Sequence, residues 1–548
     1  MFTIRALSDA LILLIADAFT LSADEVRASG ATVTLLDSSS HHTGDLTTNA
    51  AMTLARLLKK PPRVIAEQIV SILSHGSIAK VEIAGPGFIN ITLTGEAWAR
   101  LAEQIQANPT GFFKTESTQN PHSYLIEYVS ANPTGPLHLG HGRNAIIGDI
   151  LARVLRFIGH SVATEFYIND AGSQMQKLGM SLKARCIELS GATAEIPEEG
   201  YHGEYLIEVA ENCLQEHGND ILNNDIAFFT AYAQEQLIAQ QKTELADYGI
   251  VIDTWFSELS LHRSSAITDA LTELEKRGYL YEKDGALWFK STDFGDDKDR
   301  VIRKQDGSLT YIAPDIAYHV NKFSRGAQTL IDIVGQDHHG YVLRLKGTLA
   351  ALGYDASHLD VILYQLVSLK QGDIPVKMSK RSGNFIGLRE VIDTVGVDAA
   401  RFFFLHKKAD SHLELDIDVA LKQTQENPIF YLQYAYVRTL SIMNKAAEAN
   451  ITPSIQSGSC TAEEIAVFKK VLGLGHALNA VATQYATHIL ATYALDLAQT
   501  FHTFYTNNKV IDLSQPETSA RRLALVRVVQ QTLGLTLDLL GLSRRESM

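Results

Sequence analysis

Two histidines, His138 and His141, stand three residues apart in "PTGPLHLGHGRNA" (Pro133–Ala145). An imidazole N–H can donate to a phosphate oxygen, and glycine between the two lets a ligand approach the backbone. Further on, "VKMSKRSGNF" (Val376–Phe385) places Lys377, Lys380 and Arg381 around Met378 and Ser379. Cations on such a loop could neutralise charge that develops on phosphate in a transition state. Each motif also has an ordinary reading. The histidines could simply cap a helix, and the lysines could form a solvated surface loop.

The flanking elements decide how much weight the motifs bear. Before the histidines, "SYLIEYVS" (Ser123–Ser130) reads as a buried strand. After them, Ile146, Ile147, Ile150, Leu151, Val154, Leu155 and Ile158 recur at helical spacing, and Gly159 suits a C-cap. Pro133 and Pro136 keep the connection out of a helix. The histidines are therefore expected at a helix N-terminus, just beyond the carboxyl end of a strand. That is where a parallel sheet binds ligands and where helix N–H groups attract phosphate. "VILYQLVSL" (Val361–Leu369) reads as one strand leading to the lysine motif. "SVATEFYI" (Ser161–Ile168) and "TLIDIVG" (Thr329–Gly335) read as further strands. A long, mostly helical insertion is expected between "EFYINDAGSQM" and "YIAPDIAYH". Strands alternating with helices point to a parallel α/β sheet.

The outer segments differ. Ile4, Leu7, Leu11, Leu14, Ile15 and Phe19 fit one face of an amphipathic helix, which outweighs a faint likeness to a secretory signal over Ala10–Ala18. Pro62–Leu73 reads as a second helix, and Lys80–Thr94 as two strands around Gly-Pro-Gly. Thr115–Ser123 reads as a linker, and the chain from about residue 411 as nearly all helical. Lysine and arginine total 48 against 62 acids, a formal net charge of −14, which argues against a general electrostatic grip on nucleic acid. The three cysteines are scattered, so neither a zinc site nor a disulfide framework is expected, and the thiols fit a reducing cytoplasm. No apolar run is expected to span a membrane.

The histidine and lysine motifs, in this order, resemble the two signatures of class I aminoacyl-tRNA synthetases. "EYVSANPTGPLHLGHGRNA", "YINDAGSQM", "YIAPDIAYH", "GPGFINI" and "ENPIFYLQYAYVR" resemble the arginyl-tRNA synthetase family, bacterial type. The resemblance implies a multidomain α/β protein. Residues 1–112 would be an additional α/β domain contacting tRNA. Residues 118–410 would be a Rossmann-like catalytic domain with a helical insertion, and 411–548 an all-α anticodon-binding domain. It implies ligation of L-arginine to tRNA(Arg) through arginyl-adenylate, with ATP and magnesium as substrate, no permanent cofactor, no metal ligands and no membrane. A cytoplasmic monomer is the family expectation, as is arginine activation that requires tRNA.

Residue roles follow from the same resemblance. His138, His141 and Gly140 match the ATP site, together with Lys380, Lys377 and Met378. Asp315 matches the carboxylate for the guanidinium, with Glu127, Asn132, Tyr311 and Gln336 completing the arginine site. Without the resemblance, Pro314-Asp315 would read as a turn. Asn169 and Asp170 line or support that pocket; His338 and His339 read as structural or ribose-facing. Phe88 and Asn90 match residues that hold a D-loop base, against the plain alternative of a core phenylalanine. Tyr431, Tyr434 and Arg438 are weaker anticodon candidates. Competing readings are a cysteinyl-type enzyme, which would need a cysteine cluster, a shorter HxGH nucleotidyltransferase, and a non-enzymatic paralogue, which should have lost a motif.

Overall fold

Five segments between Ser123 and Tyr364 line up as one parallel sheet. They are β1 (Ser123–Glu127), β2 (Ser161–Ile168), β3 (Thr254–Ser257), β4 (Thr329–Gly335) and β5 (Leu359–Tyr364). The sheet order is β5-β4-β1-β2-β3, with every neighbouring pair parallel. The chain therefore turns outward in both directions from β1, and the crevice between β1 and β4 is the topological switch point of a Rossmann-type sheet. Helix α1 (Leu139–Phe157) leaves β1 for β2, and helix α2 (Ile312–Ser324) precedes β4. This computed structural model describes residues 2–36, 43–117, 120–372, 374–376, 387–455 and 460–548.

The sheet belongs to a unit of Asn120–Lys422 with Tyr485–His488. The insertion holds helices Tyr205–His217 and Ile226–Asp247, as its composition suggests. It also holds β3 and a three-stranded antiparallel sheet of Leu280–Lys283, Ala286–Phe289 and Arg300–Arg303, which sequence reasoning missed. The expected single strand Val361–Leu369 is two strands in two sheets. β5 ends at Tyr364, and Val367–Gln371 pairs instead with Ile374–Val376 and Leu413–Asp416. The fully buried Arg143 fixes the break, donating to the carbonyls of Gln365 (2.8 Å), Ser411 (2.8 Å) and Lys408 (2.7 Å). Burial pulls its pKa down only to about 10, so it stays cationic at neutral pH.

A second unit comprises Met1–Gln119, Gln423–Gln484 and Ile489–Met548. Its antiparallel sheet runs Val33–Leu35, Leu46–Thr48, Phe88–Leu93, Ile78–Ala84 in spatial order. The helices Ile4–Ala18 and Pro62–Ile72 form as their periodicity predicts, burying Leu7, Leu11, Ile15, Ile65 and Ile69. The expected linker is partly helix: Pro109–Ser117 buries Phe112 and Phe113 and takes in Thr115. The remaining helices include Pro428–Glu448, Ala462–Gln484 and Pro516–Leu540. Two of these correct the expectation about membrane-length segments. Ala462–Gln484 and Pro516–Leu540 are long and apolar enough to cross a membrane by length and composition, but 61% and 78% of their apolar windows are buried within the protein.

Candidate active site

The polypeptide makes a strained bend as it leaves β1. Val129 and Ser130 have φ of 69° and 45°, left-handed values that a β-branched residue rarely adopts. Side chains over-determine the bend. Asn144 of α1 accepts from Val129 N–H at 2.8 Å and donates to Ile333 O of β4 at 2.8 Å, tying the two strands across the switch point. Ser130 Oγ donates to Glu127 at 2.8 Å and accepts from Tyr167 N–H at 3.1 Å. Gly148 lets α1 settle on this bend, because a Cβ there would lie 2.3 Å from the Tyr128 ring.

His138 and His141 start α1 and cap it reciprocally. His138 Nδ1 accepts from His141 N–H at 3.3 Å, and His141 Nδ1 accepts from His138 N–H at 3.2 Å. Their rings stack 3.5 Å apart. With Nδ1 committed as an acceptor, the neutral rings carry their proton on Nε2. The capping reading and the phosphate reading of the motif are thus compatible. A Cβ on Gly140 would meet the His138 ring at 2.9 Å, so this glycine first makes room for the histidine itself. Gly387 bridges to His138, with Leu388 N–H donating to Leu137 O at 2.8 Å. The segment holding Lys377, Met378 and Lys380 ends there; those three residues lie outside the described residues.

A cavity of 1140 Å³ opens at the switch point. Its wall includes His138, His141, Glu127, Asn132, Tyr311, Asp315 and Gln336, the sequence candidates brought together from 209 residues of chain length or less. Tyr311 stands at the start of α2, 74% exposed. Asn169 lines the wall, while Asp170 is buried behind it, accepting from Ser257 Oγ (2.6 Å), Gln234 Nε2 (3.0 Å) and Leu259 N–H (2.8 Å). His338 is exposed beside Asp337. Among the described residues no group of three His, Cys, Asp or Glu could hold a metal.

One end of the cavity is acidic. Asp315, Glu127 and Glu258 all line it. Burial, with Glu127 and Glu258 nearby, raises the Asp315 pKa to about 6, although Tyr341 Oη donates to its carboxylate. Sequence reasoning missed Glu258, which follows β3, and Tyr341.

A second missed feature holds Asp315 in place. Glu165, Glu127 and Asp332 lie in register on three adjacent strands, β2, β1 and β4. One face of α2 answers them. Tyr318 and Arg325 donate to Glu165 at 2.7 and 2.5 Å. Lys322, fully buried, donates to Glu127 and, at 2.8 Å, to Asp332. His319 spans Asp315 O and Asp332, 2.7 Å from each. Burial opposes charge on Asp332, but Lys322 and His319 outweigh it and hold its pKa well below the usual carboxylate range. The same carboxylates raise Lys322 against its own burial. The only sequence signal for this row is charge at 315, 319 and 322 on an otherwise apolar helix face.

The N-terminal candidates part company: Phe88 is 39% exposed and Asn90 only 6%. In the helical part, Tyr431, Tyr434 and Arg438 share a 450 Å³ pocket with His502 and Tyr505. The Arg438 guanidinium lies over the rings of Tyr434 (4.9 Å) and Tyr505 (5.1 Å).

A Rossmann-ordered parallel sheet, with capping histidines at its switch point and a returning segment bridged to them, has the architecture of a class I tRNA synthetase catalytic domain. Residues 107–422 match the family "tRNA synthetases class I (R), catalytic domain". Residues 6–93 match "Arginyl tRNA synthetase N terminal domain", and 432–548 match "DALR anticodon binding domain". The chain is 44% identical over 516 residues to the arginine–tRNA ligase of Geobacillus kaustophilus, covering 92% of each protein. Its fold is similar to a putative arginyl-tRNA synthetase from Campylobacter jejuni, with TM-score 0.77 and 35% identity over 83% of this chain and 100% of that one. It also resembles in fold the arginyl-tRNA synthetase of Thermus thermophilus, with TM-score 0.76, 23% identity, and 98% and 99% of the chains covered. The chain belongs to the arginyl-tRNA synthetase family.

Proposed function

We propose that this protein ligates L-arginine to tRNA(Arg) in two steps, forming arginyl-adenylate and diphosphate from ATP, then transferring the arginyl group to the tRNA and releasing AMP. The observation that carries this reading is one cavity whose wall joins two helix-capping histidines to the carboxylates of Asp315, Glu127 and Glu258. A guanidinium suits such a cluster because its fixed fork matches carboxylate geometry. Asp315 is assigned the guanidinium, with Tyr311, Gln336, Asn132 and Glu127 completing arginine recognition. Glu127, held by Lys322 and Ser130, is assigned the α-ammonium end.

At the other end, His138 and His141 are assigned the ATP phosphates, with Gly140, Met378, Lys377 and Lys380 completing that site. The α-carboxylate of arginine attacks the α-phosphorus, the phosphorus–oxygen bond to diphosphate breaks, and the mixed anhydride forms. A 2′-hydroxyl of the tRNA then attacks its carbonyl, displacing AMP. These residues hold reactants and offset charge without forming a covalent intermediate. Magnesium arrives with ATP as part of the substrate. Residues 1–112, 118–410 and 411–548 are assigned tRNA contact, catalysis and anticodon contact. Phe88 and Asn90 are assigned a D-loop base, and the pocket around Tyr431, Tyr434 and Arg438 an anticodon-loop base. We place the protein in the cytoplasm as a monomer without membrane attachment.

Pyrophosphate exchange with each proteinogenic amino acid, with and without tRNA, tests the reading. Exchange that depends on both arginine and tRNA is expected. Activation of another amino acid in preference to arginine, or none by arginine with tRNA present, overturns it.

A further inference from the structure

Residues 49–72 carry Arg56, Lys59, Lys60 and Arg63 against one acid, Glu67, in a chain of net charge −14. All four cations are exposed. Among the described residues none is paired with a carboxylate; Lys60 Nζ donates to the neutral Gln68 at 3.3 Å. Elsewhere the chain pairs its surface cations freely, as in Lys80–Glu82, Arg156–Asp253 and Arg389–Asp247. This segment keeps its positive charge unspent.

Its backbone is fixed. Helix Ala55–Leu58 ends on Lys59 in a left-handed conformation (φ 51°), and Pro61-Pro62 then starts helix Pro62–Ile72. No side chain caps that helix, so its positive dipole end lies among the cations. The Gly85–Gly87 turn packs directly on this bend. A Cβ at Gly87 would lie 3.0 Å from Pro62 Cβ and 3.4 Å from Met52 Cγ. The next residue is the exposed Phe88. An exposed aromatic ring thus follows a turn that packs on the bend carrying these cations, none of them paired with a carboxylate among the described residues, and that combination is the chemistry of single-stranded nucleic acid: stacking for a base, charge for its phosphates.

We propose that Arg56, Lys59, Lys60 and Arg63 form a phosphate-contacting track along which the RNA backbone runs next to the base already assigned to Phe88. The proposal rests on the reading of this domain as a tRNA-contacting one and adds the electrostatic surface that an acidic protein needs for it.

The salt dependence of tRNA binding by the full chain tests it. Each contacted phosphate contributes about 0.7–0.9 to the slope of log Kd against log salt. Replacing all four residues with Gln should lower that slope by about 3, weaken tRNA binding at low salt, and leave the KM values for arginine and ATP unchanged when tRNA is saturating. Phe88→Ala should weaken binding about tenfold or more without altering the slope. An unchanged slope in the fourfold variant overturns the track; if Phe88→Ala still weakens binding, the tRNA-contacting reading of the domain survives that failure. If neither variant affects tRNA, both fall. Sedimentation with phosphatidylserine vesicles covers the other anionic surface: binding lost only in the fourfold variant, with its tRNA slope unchanged, overturns the RNA track in favour of lipid.

Discussion

The two ends of the cavity proposed as the active site are built by different means. The histidine end is local: His138 and His141 lie one helical turn apart, position each other, and present imidazoles at a helix N-terminus. The end proposed for arginine is assembled from afar: Asp315 on α2, Glu127 on β1 and Glu258 after β3, with Lys322 and His319 linking Glu127 and Asp315 to Asp332 on β4. A phosphate needs N–H donors and a dipole, which one helix terminus supplies. Discriminating one amino acid requires charge in a fixed, dry place, and that requires counter-charges behind it. The local end should therefore tolerate substitution with modest loss, and the assembled end should not.

Asp315→Asn is the most severe break. It preserves shape and the Tyr341 hydrogen bond but, on the proposed assignment, orphans the guanidinium, a loss on the order of 3–5 kcal/mol. Arginine kcat/KM should fall at least a hundredfold while ATP KM holds. The fold should respond in the opposite direction. The pKa of Asp315 is raised to about 6, so its ionised form opposes folding; that penalty is small at pH 4, grows between pH 4 and 6, and reaches on the order of 3 kcal/mol above. Asp315→Asn should raise the melting temperature at pH 7.5 and leave it nearly unchanged at pH 4. Undiminished arginine use by this variant would make Asp315 a helix residue of no special role.

Lys322→Met tests the support rather than the contact. It leaves Glu127 and Asp332 buried beside each other without their cation and should cost on the order of 3–5 kcal/mol of stability. Adding Asp332→Asn removes one of the orphaned charges and should recover most of that stability. Glu127 would still lack its lysine, so arginine KM should stay raised about tenfold in the double variant. Recovery of both properties together would reduce Lys322 to a purely structural part.

The contrast between the ends also governs what could be read from the sequence. The strand, Pro-rich bend, histidine pair and helix 139–157 are contiguous, so spacing alone placed them correctly. Beyond the charges at 315, 319 and 322, the row Glu165–Glu127–Asp332 leaves no mark in the sequence, because β2, β1 and β4, distant in the chain, must first come into register. β3 was hidden because four residues inside a helical insertion carry too little periodicity. The break after Tyr364 was hidden because an apolar run does not reveal that a distant arginine, Arg143, will claim its carbonyls. Asp315 was picked out by family resemblance; its chemistry becomes physical only with the cavity and the other carboxylates in view.

His138→Asn sharpens the local side of the comparison. Asparagine is a strong N-cap, so α1 should keep its start, whereas His138→Ala should also lose about 1 kcal/mol of stability. Either change removes the proposed hydrogen bond to charged phosphate, about 1.5–3 kcal/mol, or roughly ten- to a hundredfold in adenylate formation. Equal rates but unequal melting temperatures for the two variants would separate the phosphate role from the cap. A normal rate in His138→Asn would leave capping as the motif's whole purpose.

The smallest expected effect is a titration. In the arginine-free protein Asp315 becomes protonated as pH falls through about 6, whereas a bound guanidinium favours the carboxylate. Arginine affinity should therefore be full at pH 7.5, fall about fourfold by pH 5.5 and about tenfold by pH 5. Binding near pH 6 must release about half a proton, which calorimetry in buffers of different ionisation enthalpy can count. Those arms belong with tRNA present, since the site is proposed to complete only then. Asp315→Asn should bind arginine far more weakly but with little pH dependence over this range. If its profile keeps the same slope, the titrating group is not Asp315. The acidic cluster would then work by its summed field rather than through one carboxylate, and the assembled end would be more diffuse than the contact geometry alone suggests.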